Sequence, residues 1–212
     1  MMELPTARLR SLGEIGAVVL TGGGFVLCQQ LNGGRIPFIA FCAALWLAYI
    51  ILRVRRQRLM LSEWGLRLDN LALAVRRCLP VLGLAAAGIA CYRMLKGWVP
   101  LPWSSIAIFM LYPAWALAQQ LLVQSLLAQN LRRLGLSPAL VVPIAAVVFG
   151  LIHAPDWTLA GLCAAAGAAW TVLFLWTPNL IPLALSHGWL GALVYYWVLE
   201  RDPWTGLPPA GL

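Results

Sequence analysis

The chain has 212 residues, of which 62% are hydrophobic and only 10% charged, and its mean hydropathy is +0.83. Soluble domains carry about 25% charged residues, so this composition excludes a water-soluble fold and calls for one whose outside faces hydrocarbon. The net charge of +8 points to no nucleic-acid partner: no basic face interleaved with aromatics occurs, and the cations gather between apolar runs, as charge bias across a membrane predicts.

A span needs about 20 mostly apolar residues. The pattern predicts an all-α, polytopic membrane helix bundle of about seven transmembrane or half-spanning helices. They fall near 13–31, 36–53, 72–92, 105–131, 138–154, 158–176 and 180–199, and residues 1–212 form a single integral membrane domain. The first run is interrupted by "TGGG" at 21–24, which favours close helix packing or a kink. No cleavable signal pattern precedes it, so it is expected as a retained span. After the second run, "RVRRQRLMLSEWGLRLDN" (53–70) reads as a helix lying at the interface, with Trp64 among its apolar residues. The last three runs are short and are expected to tilt, break or only partly cross. The tail "DPWTGLPPAGL" is expected to be irregular.

With a cytoplasmic N-terminus the inner side receives Arg8, Arg10, Arg53, Arg55, Arg56, Arg58, Arg67, Arg76, Arg77, Arg132 and Arg133. The outer side receives Arg35, Arg93, Lys96 and Arg201. That imbalance predicts an N-in, C-out multi-pass protein, expected in a bacterial inner membrane. Trp103, Trp157, Trp176 and Trp204 sit near predicted span ends and read as interfacial anchors. Cys28, Cys42, Cys78, Cys91 and Cys163 show no zinc or CxxC spacing and read as free buried thiols.

Polar groups in hydrocarbon are costly unless paired or facing a cavity, so each is a site hypothesis. Gln29 and Gln30 fall at a span end and are set aside. Within "QQLLVQ" (119–124), Gln120 and Gln124 share a helix face, and Gln119 lies about 100° round from Gln120. Read alone, the three amides serve as interhelical glue or line a site. The only two histidines are His153, four residues after Phe149 in "FGLIH", and His187, four before Gly191 in "HGWLG". None of the seven acids is expected deep in a span, although Glu14 sits at the start of one; Asp156 reads as a loop residue close enough to orient His153. Two imidazoles and three amides make a poor metal set, so no metal and no cofactor is expected.

The order and spacing of these motifs over 105–199 resemble the CAAX prenyl protease and bacteriocin-processing family of intramembrane endopeptidases. That family carries Glu-Glu-x-x-x-Arg (or Gln), then Phe-x-x-x-His, then His-x-x-x-Asn-like motifs. The resemblance implies glutamate-dependent cleavage of a membrane-associated peptide or protein, within a lipid bilayer. It assigns Gln119 to the base position, Gln120 to its neighbour, Gln124 to the Arg/Gln position and His153 to the water-polarising position. His187 takes the oxyanion-donor position, and Gly191 stands where the Asn-like side chain is expected. The side chains of Gln119, His153 and His187 are then expected within water-bridged reach, on the order of 3–7 Å.

Both motif glutamates are glutamine here. An amide holds a water but does not take its proton at pH 7, so this form is expected to be inactive. The paired exchange fits a natural inactive branch or deliberate Glu→Gln changes. The alternative is a non-catalytic membrane binder of hydrophobic or lipidated peptides. A transporter is disfavoured, because the spans show no inverted repeat and no intramembrane proton-carrying acid.

Overall fold

The computed structural model describes residues 5–29, 31 and 34–203. Gln30, Trp204 and most of the C-terminal tail, for which a set-aside glutamine, an interfacial anchor and an irregular ending are expected, lie outside the described residues. Among the described residues the architecture is entirely helical, as the composition requires. The helices are α1 (Pro5–Cys28), α2 (Arg35–Arg56), α3 (Met60–Glu63), α4 (Leu71–Lys96), α5 (Ser105–Gln120), α6 (Gln129–Arg133), α7 (Pro138–Leu151), α8 (Trp157–Trp176) and α9 (Leu180–Leu193). Two wider turns with π-helical hydrogen bonding join them, Leu121–Ala128 between α5 and α6 and Val194–Val198 after α9.

Five helices are long and apolar enough to cross a membrane: Thr6–Cys28, Arg35–Arg56, Leu71–Lys96, the continuous Ser105–Arg133, and Trp157–Trp176. The protein is an integral, multi-pass membrane protein. One of the seven predicted runs is shorter than drawn: α7 has 14 residues, about 21 Å of rise against a hydrocarbon core of about 30 Å, whereas α9 continues directly through the Val194–Val198 turn.

The chain divides into two compact units, residues 1–67 with 121–178 and residues 68–120 with 179–212. In the first unit, α7 and α8 form a tight antiparallel hairpin. A Cβ on Gly150 would stand 2.8 Å from the Ala160 carbonyl oxygen, and one on Gly167 would meet Phe149 at 3.2 Å. Asp156 caps α8: its Oδ1 accepts from the Leu159 amide at 3.0 Å. Its carboxylate is the N-cap of the helix.

Helix α1 runs unbroken through "TGGG". Close packing, not a kink, is what these glycines supply. A Cβ on Gly22 would stand 2.9 Å from Ile152 and one on Gly24 2.7 Å from Phe38. The 53–70 segment corrects the expectation of an interfacial helix. Helix α2 continues to Arg56, α3 is a single turn, and Trp64 is 1% exposed. The Trp64 carbonyl accepts from the Ser125 hydroxyl at 2.6 Å, and the Glu63 carbonyl from Gln129 Nε2 at 3.1 Å. Trp103, Trp157 and Trp176, by contrast, are exposed at helix boundaries, where interfacial anchors belong.

In the second unit, α9 packs antiparallel on α5 and beside α4. The Trp189 indole N–H donates to the Phe109 carbonyl at 3.2 Å, and Ile108, Ala192 and Tyr196 form a buried cluster. Asn179 accepts from the Ile181 amide to cap α9, while its Nδ2 donates to Asn70 Oδ1 at 2.8 Å. At the opposite ends of α4 and α9, Arg93 donates to Glu200 at 2.6 Å and to the Gly97 carbonyl at 2.7 Å. All five cysteines are free thiols; Cys78 is buried, while Cys91 is exposed, contrary to the expected burial.

Candidate functional site

Helix α5 ends on the glutamine doublet. Gln120 is 2% exposed, and its Nε2 lies 3.3 Å from His187 Nδ1 in the middle of α9. The amide N–H is the donor, so Nδ1 is the acceptor. A neutral imidazole with an unprotonated Nδ1 carries its proton on Nε2 and donates there. The ring is 5% exposed and lies beside Tyr112, with centroids 6.2 Å apart. The expectation named Gln119 as the amide near His187; the hydrogen-bonded amide is that of Gln120, the second residue of the doublet.

Two close approaches fix α9 against α5. A Cβ on Gly188 would stand 2.7 Å from the Pro113 nitrogen, and one on Gly191 would stand 3.0 Å from Tyr112 Cε1 and 3.5 Å from its hydroxyl. The Tyr112 ring thus covers the space into which a side chain at 191 would grow. Sequence reasoning missed Tyr112. Its position seven residues before Gln119, two turns along one helix face, was the available signal.

Amide oxygens of Gln119 and Gln120 are buried without a protein partner among the described residues, and so are both amide atoms of Gln124. Gln124 is 1% exposed and sits within the widened turn Leu121–Ala128. Such wide turns recur at functional sites. An unpaired buried amide costs about 1–3 kcal/mol, so interhelical glue does not account for these groups.

In the first unit, α7 ends just before His153. The His153 amide donates to the Gly150 carbonyl at 3.0 Å. Its Nδ1 lies 2.9 Å from the Phe149 carbonyl oxygen, and the two rings meet edge to face at 5.3 Å. A carbonyl only accepts, so Nδ1 carries the proton and Nε2 presents a lone pair. Phe149 is 2% exposed and also stacks edge to face on Trp170 at 5.9 Å. The backbone carbonyl four residues earlier thus holds the imidazole in one tautomer, and the Phe149 ring packs against it. The two histidines have opposite polarity at Nε2: His153 accepts there and His187 donates.

Glu14 was the other residue missed. Helix α1 starts at Pro5, earlier than the predicted span, so Glu14 lies well within it and is 6% exposed. It accepts from the Tyr49 hydroxyl and from Asn130 Nδ2, the latter at 2.5 Å, and the Asn130 Oδ1 accepts from Ser11 at 3.1 Å. No group of three or more His, Cys, Asp or Glu side chains suited to a metal ion occurs among the described residues.

Residues 100–193, a little under half of the chain, match the Rce1-like family, type II CAAX prenyl endopeptidase Rce1-like. The match contains all three motifs. No curated protein and no solved structure matches the chain.

Proposed function

We propose that this protein is built as an intramembrane endopeptidase acting on a hydrophobic or membrane-anchored peptide, and that the present form hydrolyses little or nothing. The observation that carries the reading is the 3.3 Å Gln120–His187 pair within the segment matching the endopeptidase family. In this reading Gln119 and Gln120 hold the place of the carboxylates that would take a proton from water. His153, with its Nε2 lone pair, polarises that water. His187, with its Nε2 proton, donates to the developing oxyanion. Gln124 and Phe149 support these groups. Gly191 offers no side chain to the oxyanion.

General acid–base assistance is worth about 10²–10⁴-fold in rate, or roughly 3–5 kcal/mol of barrier. An amide supplies none of it. Installing Gln119→Glu with Gln120→Glu is expected to restore cleavage of co-expressed membrane-anchored peptides, and His187→Ala on that background to abolish it. A folded double-glutamate protein that stays silent against such substrates counts against the protease reading.

A second reading is favoured by the unpaired buried amides: a non-catalytic binder that holds a hydrophobic or lipidated peptide by its backbone. Recovery of a peptide or lipid-modified peptide from the purified protein, with no activity gained on restoring the glutamates, selects it. In either case we infer an N-terminus in the cytoplasm and residence in a bacterial inner membrane.

A further inference from the structure

The first unit contains a cleft of about 180 Å³ lined by Ala7, Arg10, Ser11, Arg53, Gln57, Glu63, Asn130 and Arg133. Three guanidinium groups from three helices, α1, α2 and α6, face one carboxylate there. Glu63 approaches Arg133 at 3.9 Å, and Glu14 behind the wall is held by Tyr49 and Asn130, so the cleft keeps an excess of positive charge. Its polar floor is pre-set. Asn130 is fully buried and fixed by Glu14 and by the Leu126 carbonyl at 2.8 Å, and Ser11 is 4% exposed. The Arg53 Nε is buried with no partner among the described residues, although Nη2 of the same group reaches Met60 Sδ at 3.6 Å. A buried, unsatisfied charged donor calls for an anionic acceptor.

We propose that this cleft binds a phosphate group, supplied by the headgroup of an anionic phospholipid. Several arginine forks converging on one cavity suit a tetrahedral oxyanion with more than two acceptor oxygens. The volume, below the about 300–1,000 Å³ of drug-sized sites, suits a headgroup and not a whole small-molecule cofactor. The location favours a lipid as the source. Arg10 and Ser11 lie in the second turn of α1 and Arg53 lies in the last turn of α2. Leu9 and Leu12 beside them are 69% and 50% exposed, an apolar margin along which acyl chains run. Arg55, Arg56 and Arg58 lie exposed nearby in sequence and add diffuse attraction to an anionic surface.

The test uses the full-length protein in an uncharged detergent. Thermal stability is followed while phosphatidylglycerol, phosphatidylcholine or inorganic phosphate is added, and lipid adducts are counted by native mass spectrometry. Phosphatidylglycerol is expected to raise the melting temperature and leave one retained lipid, and phosphatidylcholine to do neither. Arg53→Gln with Arg133→Gln is expected to weaken the effect by about tenfold or more, while Arg55→Gln with Arg56→Gln leaves it in place. Equal response to both lipids in the wild-type protein overturns the proposal without any variant. So does equal loss in the two double variants, which would make the attraction a general surface charge. Full protection by inorganic phosphate alone, with the same dependence on Arg53, overturns the lipid source and assigns the cleft to the free anion. None of these readings depends on proteolysis.

Discussion

The amide at position 120 turns its nitrogen to Nδ1 of His187, and this is where isosteric exchange is least neutral. Gln120 Nε2 donates to Nδ1, so Nε2 of the ring is protonated. A carboxylate at 120 only accepts, and would draw the proton onto Nδ1. The chain has two histidines, so a nitrogen-15 spectrum of labelled protein contains two rings. Gln120→Glu is expected to shift the His187 nitrogens to an Nδ1-protonated or doubly protonated pattern, while His153, tied through Nδ1 to the Phe149 carbonyl, stays unchanged. Unaltered His187 signals would show that the pair is not a hydrogen bond. Position 191 is similarly decided by one neighbour. Gly191→Asn drives a Cβ to 3.0 Å from the Tyr112 ring, an overpacking expected to cost about 1–3 kcal/mol. Tyr112→Ala on that background should recover part of the loss, and a double-mutant cycle in denaturant or heat measures the coupling. The sequence made the motif residues legible because polar groups in apolar runs are few. It hid Tyr112 and Glu14, one because an aromatic in a span looks like packing, the other because the helix start was drawn too late.

At the scale of helices, spacing told which faces matter but not which glycines are contacts. Gly188 sits against backbone: an added Cβ meets the Pro113 nitrogen at 2.7 Å and its Cα at 2.8 Å. Backbone does not rotate away, so Gly188→Ala is expected to separate α5 from α9 and cost about 1–3 kcal/mol, with loss of the Gln120-dependent His187 signals. Gly23 meets nothing within 4 Å, and Gly23→Ala should be neutral or stabilise by up to about 1 kcal/mol through helix propensity. Thermal melts of the two variants in one detergent compare them directly. The polar knot of α1 behaves differently. Glu14→Ala strips a partner from both Tyr49 and Asn130, and orphaned buried donors cost about 1–3 kcal/mol each; Glu14→Gln, which keeps an acceptor, should cost less. Such knots escape sequence reading because a serine, a glutamate, a tyrosine and an asparagine far apart in the chain show no period. The widened turn Leu121–Ala128 escapes it too, since its composition is that of any apolar helix.

Across the whole molecule, the order of crossings follows from pairings inside each unit taken separately. In the first unit, the early part of α1, the end of α2 and α6 share one end, tied through Ser11, Glu63, Asn130 and Arg133. Gly22 approaches Ile152 near the other end, and Gln29 reaches the Ala154 carbonyl at 3.5 Å. In the second unit, Asn70 and Asn179 meet at the start of α4 and α9, and Arg93 and Glu200 meet beyond their far ends. Each set agrees with alternate crossings in chain order. The proposed orientation, read from charge bias, predicts the arginine-rich 53–58 segment on the cytoplasmic side and the loop after Lys96 on the opposite side. Gln57 and Trp98 are both exposed in these segments, so cysteines placed there report orientation. In intact cells a membrane-impermeant maleimide is expected to label Trp98→Cys above the wild-type background and to label Gln57→Cys only after permeabilisation. The reverse pattern would invert the protein in the membrane and move the arginine cleft to the outer leaflet, where its proposed headgroup would have to be found instead.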